Sequence, residues 1–221
     1  MKNTNNDPWI WTQKNALTSE FCNLIIDKFE SSKEEHYDGK IYSGVNKDIK
    51  RSTDLFITTI DEWKTEQSIL HNTLISCFEK YSHHITKYFY SKKIDQVFDF
   101  LIPSETPQFF STGHQVQRTK PNEFYTWHND ALCCQQYYRT FTYIFYLNDI
   151  KVGGETQFIT GERIRPEQGK LLIFPATPTY IHRGVSPSSG VKYISVGWMC
   201  KMNEDYVYNS RLPEQVQILN S

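Results

Sequence analysis

The chain has 221 residues, of which 38% are hydrophobic and 22% charged, so it can bury a sizeable core. Its formal net charge of −1 gives no reason to expect nucleic acid or an anionic membrane as the main partner. No apolar stretch approaches the roughly 20 residues of a membrane span, and the polar N-terminus lacks the apolar segment of a secretory signal. Five cysteines without a CxxC pair predict reduced thiols, so we expect a cytoplasmic protein.

Two helices are predicted in the first 96 residues. In Leu17–Ser31, Thr18 or Ser19 can cap the helix. Its apolar residues recur at helical spacing: Phe21, Leu24, Ile25 and Phe29. A longer amphipathic segment covers Glu66–Tyr90. Its stripe consists of Leu70, Leu74, Phe78, Tyr81, Ile85 and Phe89. The intervening Tyr37–Asp48 is polar and contains glycine, which predicts a loop, and Ser52–Thr59 holds a short extended run.

From about Val97 the pattern changes to short β-branched and aromatic runs separated by turn residues. The predicted strands are Gly113–Val116, Thr140–Leu147, Glu155–Ile159, Lys170–Phe174, Thr179–Ile181 and Lys192–Met199. Many short strands at this spacing favour a double-sheet antiparallel structure such as a jelly roll. We therefore predict one α+β domain that is mainly β. Residues 1–96 form a helical N-terminal support, 97–201 the jelly-roll core and 202–221 a C-terminal tail.

The clearest local motif is His128-Asn129-Asp130. Along a strand, residues i and i+2 point to the same face, so His128 and Asp130 can converge on one metal ion. His182 ends a later extended run and can supply a third ligand. Two imidazoles and one carboxylate form the facial triad of non-haem Fe(II) oxygenases, which leaves coordination positions open. Taken alone, an H-x-D pair is a weak signal, because such pairs also occur by chance.

A lysine near the third histidine strengthens this interpretation. Lys192 begins the strand after the turn at 185–190. Alternation places three further residues on its face: Ile194, Val196 and Trp198. A cation among such neighbours is costly unless it has an anionic partner. A dicarboxylate that chelates iron through one end would present its other carboxylate to this lysine. The alternative is a lysine at the exposed start of a strand.

Several motifs follow one another in an order and spacing that resembles the prolyl 4-hydroxylase branch of the 2-oxoglutarate/Fe(II) dioxygenases. They are His128-x-Asp130, Tyr146-Leu147-Asn148-Asp149, Gly153-Gly154-Glu155-Thr156, the run GKLLIFP from Gly169 to Pro175, His182, and Lys192-Tyr193 followed by Trp198. The resemblance covers about Val116–Lys201. It implies a double-stranded β-helix (jelly-roll) core that carries the metal inside one open end. It also implies Fe(II), 2-oxoglutarate and O₂ as cofactors, with ascorbate as an additional candidate.

Transferred residue by residue, the resemblance makes His128, Asp130 and His182 the iron ligands. It makes Lys192 the residue that binds the C5 carboxylate of 2-oxoglutarate, and a lysine here favours the prolyl 4-hydroxylase branch. These four residues are the predicted catalytic set.

The remaining predicted cofactor-binding residues line the co-substrate pocket. The resemblance assigns Tyr146 and Tyr125 to that pocket, and alternation along the predicted strands adds Thr142 and Trp198. One departure from the family pattern is Thr119, which stands where relatives commonly carry a tyrosine that contacts the co-substrate. The departure affects the transfer of substrate specificity more than that of the chemistry.

The resemblance implies hydroxylation of a C–H bond with release of succinate and CO₂. A peptidyl proline is the leading substrate, and a free amino acid or another small molecule is the alternative. A different class is a metal-containing jelly roll that only binds its ligand. A third alternative is a cupin-like isomerase or hydrolase that uses zinc or manganese. Metal analysis together with a test for 2-oxoglutarate dependence separates these classes.

Other segments are candidates for substrate contacts. Arg139, Arg183 and Trp127 can line the substrate entrance. The polar segments Tyr37–Asp48 and Ser104–Thr112 lie outside the predicted β frame, and loops on a rigid scaffold commonly supply substrate contacts and lids. We therefore expect at least one of them to be more mobile than the core and to become ordered over the open end of the barrel when substrate binds.

Overall fold

The computed structural model describes residues 7–93, 109–134, 136–202 and 217–218. The helices are α1 (Ser19–Ser31) and α2 (Lys64–Ser91), with short 3₁₀ turns at Lys33–Glu35, Ile57–Thr59 and Asp61–Trp63. The strands are β1 (Trp11–Gln13), β2 (Tyr37–Asp38), β3 (Lys40–Ile41), β4 (Gly44–Val45), β5 (Thr53–Phe56), β6 (Phe109–Ser111), β7 (Gln115–Thr119), β8 (Tyr125–His128), β9 (Tyr137–Tyr146), β10 (Thr156–Phe158), β11 (Arg163–Ile164), β12 (Leu171–Pro175), β13 (His182–Gly184), β14 (Lys192–Met202) and β15 (Gln217–Ile218).

Among these residues the strands form two antiparallel sheets and a separate β3–β4 hairpin. The major sheet has the order β1-β12-β9-β14-β7-β5-β2, with β6 beside β14 and β15 beside β6. The minor sheet has the order β11-β10-β13-β8. Both sheets contribute to one apolar cluster: Ile144, Tyr146, Leu172, Phe174, Ile194 and Val196 from the major sheet and Phe158 and Ile164 from the minor sheet. This arrangement confirms the predicted double-stranded β-helix.

The two helices pack against the opposite face of the major sheet. Phe78 and Tyr81 of α2 contact Phe141 of β9 edge to face, with ring centroids 5.5 and 5.4 Å apart. Such aromatic pairs add to the free energy gained by burying the rings. The helices therefore support the sheet from outside and leave its inner face free for the site.

The bounds and caps of the helices agree closely with their prediction. Thr18 is the N-cap of α1, and its Oγ1 accepts a hydrogen bond from the backbone N–H of Phe21. One detail of the predicted stripe is wrong, because Leu24 is 47% exposed while Cys22 is fully buried. The face of α1 toward the sheet is centred on Ile25, with Cys22 three residues before it, and Leu24 lies beside this face. Within the described residues, no helix is long and apolar enough to cross a bilayer.

Three segments differ from their prediction. Tyr37–Asp48 is not all loop, because it contains β2, β3 and β4. Thr179–Ile181 is not a strand, since the pairing with β10 begins at His182. In Ser104–Thr112, residues 109–111 form β6 against β14, and residues 104–108 lie outside the described part of the chain. The proposed domain bounds stay a prediction.

Candidate active site

Two neighbouring strands of the minor sheet bring the predicted triad together. His128 ends β8 and is paired directly with His182, the first residue of β13. Asp130 lies two residues beyond the end of β8, so the strand is shorter than predicted and does not include the whole motif. The carboxylate of Asp130 nevertheless reaches both histidines. Its Oδ1 is 3.8 Å from Nε2 of His128, and its Oδ2 is 3.6 Å from Nε2 of His182. One potential ligand atom from each residue lies within 4.8 Å of the others.

The backbone orients both imidazoles toward this common point. Nδ1 of His128 is 2.7 Å from the carbonyl oxygen of Thr126, and Nδ1 of His182 is 3.0 Å from that of Tyr180. A carbonyl oxygen can only accept, so each Nδ1 carries the proton and each Nε2 keeps its lone pair for a metal ion. Burial, together with the nearby His182, lowers the pKa of His128 to about 4, so its ring is neutral at physiological pH.

The carboxylate of the triad is kept ionised by its neighbours. Burial by itself opposes ionisation of Asp130, but the two histidines and a hydrogen bond from Thr142 outweigh it, and the pKa of the carboxyl is lowered. Oγ1 of Thr142 donates this bond to Oδ2 of Asp130 over 2.7 Å. Two imidazoles and an ionised carboxylate fit the donor set that a non-haem Fe(II) ion requires.

This hydrogen bond leads to a first prediction. Replacing Thr142 by Val keeps the shape of the side chain but removes the donor to Asp130, so the carboxylate loses an orienting contact. Partners of metal ligands typically contribute a factor of 10 to 100 in metal affinity, and we expect anaerobic Fe(II) titration to show a loss of roughly tenfold. Thr140→Val is the matched control, because the buried hydroxyl of Thr140 has no hydrogen-bond partner among the described residues. Equal Fe(II) affinities of the two variants would contradict the prediction.

The triad opens into a cavity of about 720 Å³ between the two sheets. Lys192 lies deep in this cavity and is 5% exposed. Its Nζ donates to the carbonyl oxygen of Gly154 over 3.2 Å, which leaves the other two N–H bonds for a ligand. Burial lowers the pKa of this ammonium to about 8, although the nearby Glu155 opposes the shift. A buried cation that lines the same cavity as a metal site suits a dicarboxylate that contacts both.

The same face of β14 presents the apolar wall that was predicted. Ile194, Val196 and Trp198 line the cavity beside Lys192. Thr142 and Ile144 of the neighbouring strand β9 line it as well. Ile144, Ile194 and Val196 thus give this cavity an apolar stretch of wall.

Of the two tyrosines assigned to the co-substrate pocket, one lies there and the other does not. Tyr125 lines the cavity and stacks on the ring of His128, with centroids 3.5 Å apart. Tyr146 is fully buried beneath the cavity floor rather than on it. Its hydroxyl is 2.7 Å from Oγ1 of Thr156, and Thr156 is the residue that lines the cavity. The predicted face of β9 is correct, and Tyr146 lies one hydrogen bond behind the cavity wall; its assignment as a co-substrate residue stays a prediction.

The structure adds a group of residues from the N-terminal part that the sequence did not single out. Asp54 of β5 is completely buried and accepts hydrogen bonds from Lys50, Ser52 and Gln115 over 2.7, 2.7 and 2.9 Å. Lys50 lines the cavity, and its Nζ lies 5.4 Å from the ring centroid of Tyr125. The β3–β4 hairpin also reaches the cavity, through Lys40 and its neighbours. No local motif marks these residues as part of a site.

The predicted entrance residues separate into two groups. Arg139 lines the cavity, with its guanidinium carbon 3.5 Å from the ring centroid of Trp198. Trp127 and Arg183 alternate with the triad histidines and pack on each other at 4.7 Å, outside the cavity lining. They form part of the outer surface of the minor sheet.

A double-stranded β-helix that holds a His-x-Asp…His triad offers the two imidazoles and one carboxylate that non-haem Fe(II) oxygenases use, and a buried lysine lines the same cavity. Comparison with known families agrees, since residues 114–200 match the 2OG-Fe(II) oxygenase superfamily.

Individual relatives show which branch of this superfamily the chain resembles. A curated protein of Acanthamoeba polyphaga mimivirus, named "Putative prolyl 4-hydroxylase", is 29% identical, and the match covers 38% of this chain and 43% of that protein. The solved viral collagen prolyl hydroxylase from Paramecium Bursaria Chlorella virus-1 has a TM-score of 0.59 at 18% identity, covering 90% of this chain and 99% of that one. A prolyl hydroxylase from Trichoplax adhaerens, solved with a hypoxia inducible factor peptide, has a TM-score of 0.66 at 16% identity, covering 93% and 89%.

These findings confirm the predicted resemblance to the prolyl 4-hydroxylase branch. The match extends over less than half of the curated relative, and the similarity to the solved structures is one of fold. Fe(II) and 2-oxoglutarate are the cofactors of the matched family, as its description states.

Proposed function

We propose that this chain is a Fe(II)- and 2-oxoglutarate-dependent dioxygenase that hydroxylates a C–H bond, with a peptidyl proline as its substrate. One observation carries the proposal: the triad and the buried Lys192 line a single cavity, together with the apolar side chains of Ile144, Ile194 and Val196. A module that only binds a metal has no need of this lysine, and neither has a zinc or manganese hydrolase.

In this function His128, Asp130 and His182 hold Fe(II), which supplies O₂ activation when bound. The balanced reaction consumes one 2-oxoglutarate, one O₂ and one C–H bond. It releases CO₂ and succinate. One oxygen atom of O₂ ends in the new carboxylate of succinate, and the other ends in the hydroxyl group of the substrate.

The chain's own residues bind and orient the reactants. The Lys192 ammonium binds the distal carboxylate of 2-oxoglutarate through a charge-assisted hydrogen bond, which fixes how deep the co-substrate lies. Thr142 holds the Asp130 carboxylate, and Ile144, Ile194 and Val196 keep water away from the reacting carbon. Loss of water from such a site strengthens the electrostatic contacts within it and limits side reactions.

The choice of a peptidyl proline is supported by the relatives, whose names are those of prolyl hydroxylases. The β3–β4 hairpin also lines the cavity with exposed residues such as Tyr42, which offers a longer chain a surface that continues beyond the cavity. A free amino acid or other small molecule is the alternative substrate, and ascorbate stays a predicted accessory.

The decisive experiment measures succinate formation by the purified protein with Fe(II), 2-oxoglutarate and O₂. We expect formation to need all three and to rise when proline-containing peptides are added. Mass spectrometry should then find one added oxygen atom per peptide. Peptides with alanine in place of proline are the matched controls. If succinate forms without any gain of oxygen in either peptide but with free proline hydroxylated, the small-molecule alternative is correct. Absence of 2-oxoglutarate-dependent succinate formation would contradict the dioxygenase itself.

A further inference from the structure

Cations outnumber carboxylates on the wall of the cavity. Within the described residues, the cations that line it are Lys40, Lys50, Arg51, Arg139 and Lys192, and the lining carboxylate is that of Asp130. The whole chain is close to balance, with 24 basic and 25 acidic residues. The excess of positive charge is therefore a local property of the cavity.

Two of the five cations already have an assigned partner. Nζ of Lys50 is 2.7 Å from Oδ2 of the buried Asp54. In the proposed function Lys192 binds the co-substrate, and the carboxylate of Asp130 binds the metal. Three cations remain, namely Lys40, Arg51 and Arg139, and none of them has a carboxylate within ion-pair distance among the described residues.

Each of these three cations lies over an aromatic ring instead. The distances to the ring centroids are 5.1 Å for Lys40 over Tyr37, 5.2 Å for Arg51 over Phe124 and 3.5 Å for Arg139 over Trp198. Contact with a ring holds a cation in place without neutralising it. The cations are thus positioned along the cavity while their charge stays available to a ligand.

Among these three cations, Arg139 also has a buried N–H group that lacks an acceptor in the described part of the chain. Nη1 of Arg139 reaches the backbone carbonyl of Asp130 at 3.4 Å, so this side chain lies beside the metal site. Its Nε is buried without a hydrogen-bond partner in the described part of the chain, and the same is true of the indole Nε1 of Trp198. Buried donors without an acceptor are costly, and an acceptor group on a bound substrate removes that cost.

We propose that the cavity selects an acidic peptide, in which Asp or Glu residues flank the residue that is oxidised. Arg139 lies beside that residue, and Lys40 and Arg51 at the rim bind the flanking carboxylates. The inference rests on the proposed function, whose substrate it narrows. A nucleic acid fits less well, because the rings beside the cations are covered by them and are not free to stack on bases.

The test compares three labelled peptides with a central proline, flanked by Asp and Glu, by Asn and Gln, or by Lys. Binding is measured by fluorescence anisotropy on the Fe(II)- and 2-oxoglutarate-loaded protein without O₂, and again on the metal-free protein. We expect the acidic peptide to bind at least about tenfold more tightly than its amide match, since roughly 1.4 kcal/mol corresponds to a factor of ten. Its advantage should shrink as salt is added, because solvent-exposed charges are screened.

Charge reversal identifies the residues responsible. The double variant Lys40→Glu with Arg51→Glu should lose the preference for the acidic peptide and bind the Lys-flanked peptide better than the parent does. Arg163→Glu is the matched control, because Arg163 is exposed on β11 outside the cavity and should change none of the three affinities.

Equal affinity of the parent for all three peptides would overturn the inference, as would tighter binding of a single-stranded oligonucleotide. Succinate formation by the parent tests the proposed function separately. If it fails while the charge preference remains, the dioxygenase assignment is wrong and the acidic partner stands. If it succeeds without a charge preference, the substrate class is wrong.

Discussion

Replacing any one of His128, Asp130 and His182 by Ala is expected to abolish Fe(II) binding and succinate formation while the fold is kept. Each variant leaves only two donors at the site, and the remaining pair cannot form the facial arrangement with open positions. The triad also lies at the cavity, away from the apolar cluster between helices and major sheet. The measurements are iron content after anaerobic loading, succinate formation with saturating 2-oxoglutarate, and thermal unfolding.

A histidine that lies outside the site provides the control. His83→Ala makes the same chemical change on the exposed face of α2, where Nδ1 of the ring is 2.9 Å from the carbonyl oxygen of Glu79 in the same helix. This variant should keep full iron content and activity. Full activity in any two of the three triad variants would remove the ligand assignment.

The sequence was most informative where local periodicity decides the structure. Both helices and the alternation along β9 and β14 were predicted, because the hydrophobic pattern repeats with the period of each element. The strands that hold the two triad histidines were predicted less well, since β8 ends two residues before Asp130 and β13 begins at His182, where the predicted strand Thr179–Ile181 had already ended. Alternation also placed Thr142, Val196 and Trp198 on the cavity face correctly. The triad could be predicted because its members carry a rare combination of residue types in matching motifs.

Features that depend on long-range pairing were missed. β1 joins the major sheet by pairing with β12, some 160 residues later in the chain. β2 pairs with β5, and Lys50 bonds to Asp54 inside the sheet formed by β5 and β7. No period marks strands of two or three residues, and which buried carboxylate meets which lysine depends on the packed tertiary structure.

Whether a side chain on the correct face of a strand lines the cavity also could not be predicted from the sequence. Tyr146 lies on the predicted face of β9 but is fully buried, and its hydroxyl is 2.7 Å from Oγ1 of Thr156, which lines the cavity. Alternation determines the face to which a side chain points, not how far from the barrel opening it lies. The same limit explains why Tyr125, next to the triad, reaches the cavity and Tyr146 does not.

The second large effect is expected at the co-substrate anchor. Replacing Lys192 by Ala removes the charge-assisted hydrogen bond to the distal carboxylate of 2-oxoglutarate. Such bonds contribute about 1.5–3 kcal/mol, so the apparent 2-oxoglutarate dissociation constant should rise roughly tenfold to a hundredfold. Iron content should be nearly unchanged, because the lysine is not among the metal ligands. The measurement is a 2-oxoglutarate titration of the anaerobic Fe(II) protein, followed by its visible charge-transfer band.

The pH dependence distinguishes a charged anchor from a spacer. Because burial lowers the pKa of Lys192 to about 8, the free ammonium loses its proton as the pH rises through 8, and 2-oxoglutarate should bind more weakly above that value. Lys192→Arg should recover part of the affinity and remove this pH dependence, since a guanidinium stays charged. Lys170→Ala is the control, because Lys170 is also a buried lysine but bonds to Glu167 and is not among the residues that line the cavity. If Lys192→Ala binds 2-oxoglutarate like the parent protein, the anchor lies elsewhere, and Arg139 is the next residue to replace, since Arg118 is paired with Glu30 and Arg183 lies outside the cavity lining.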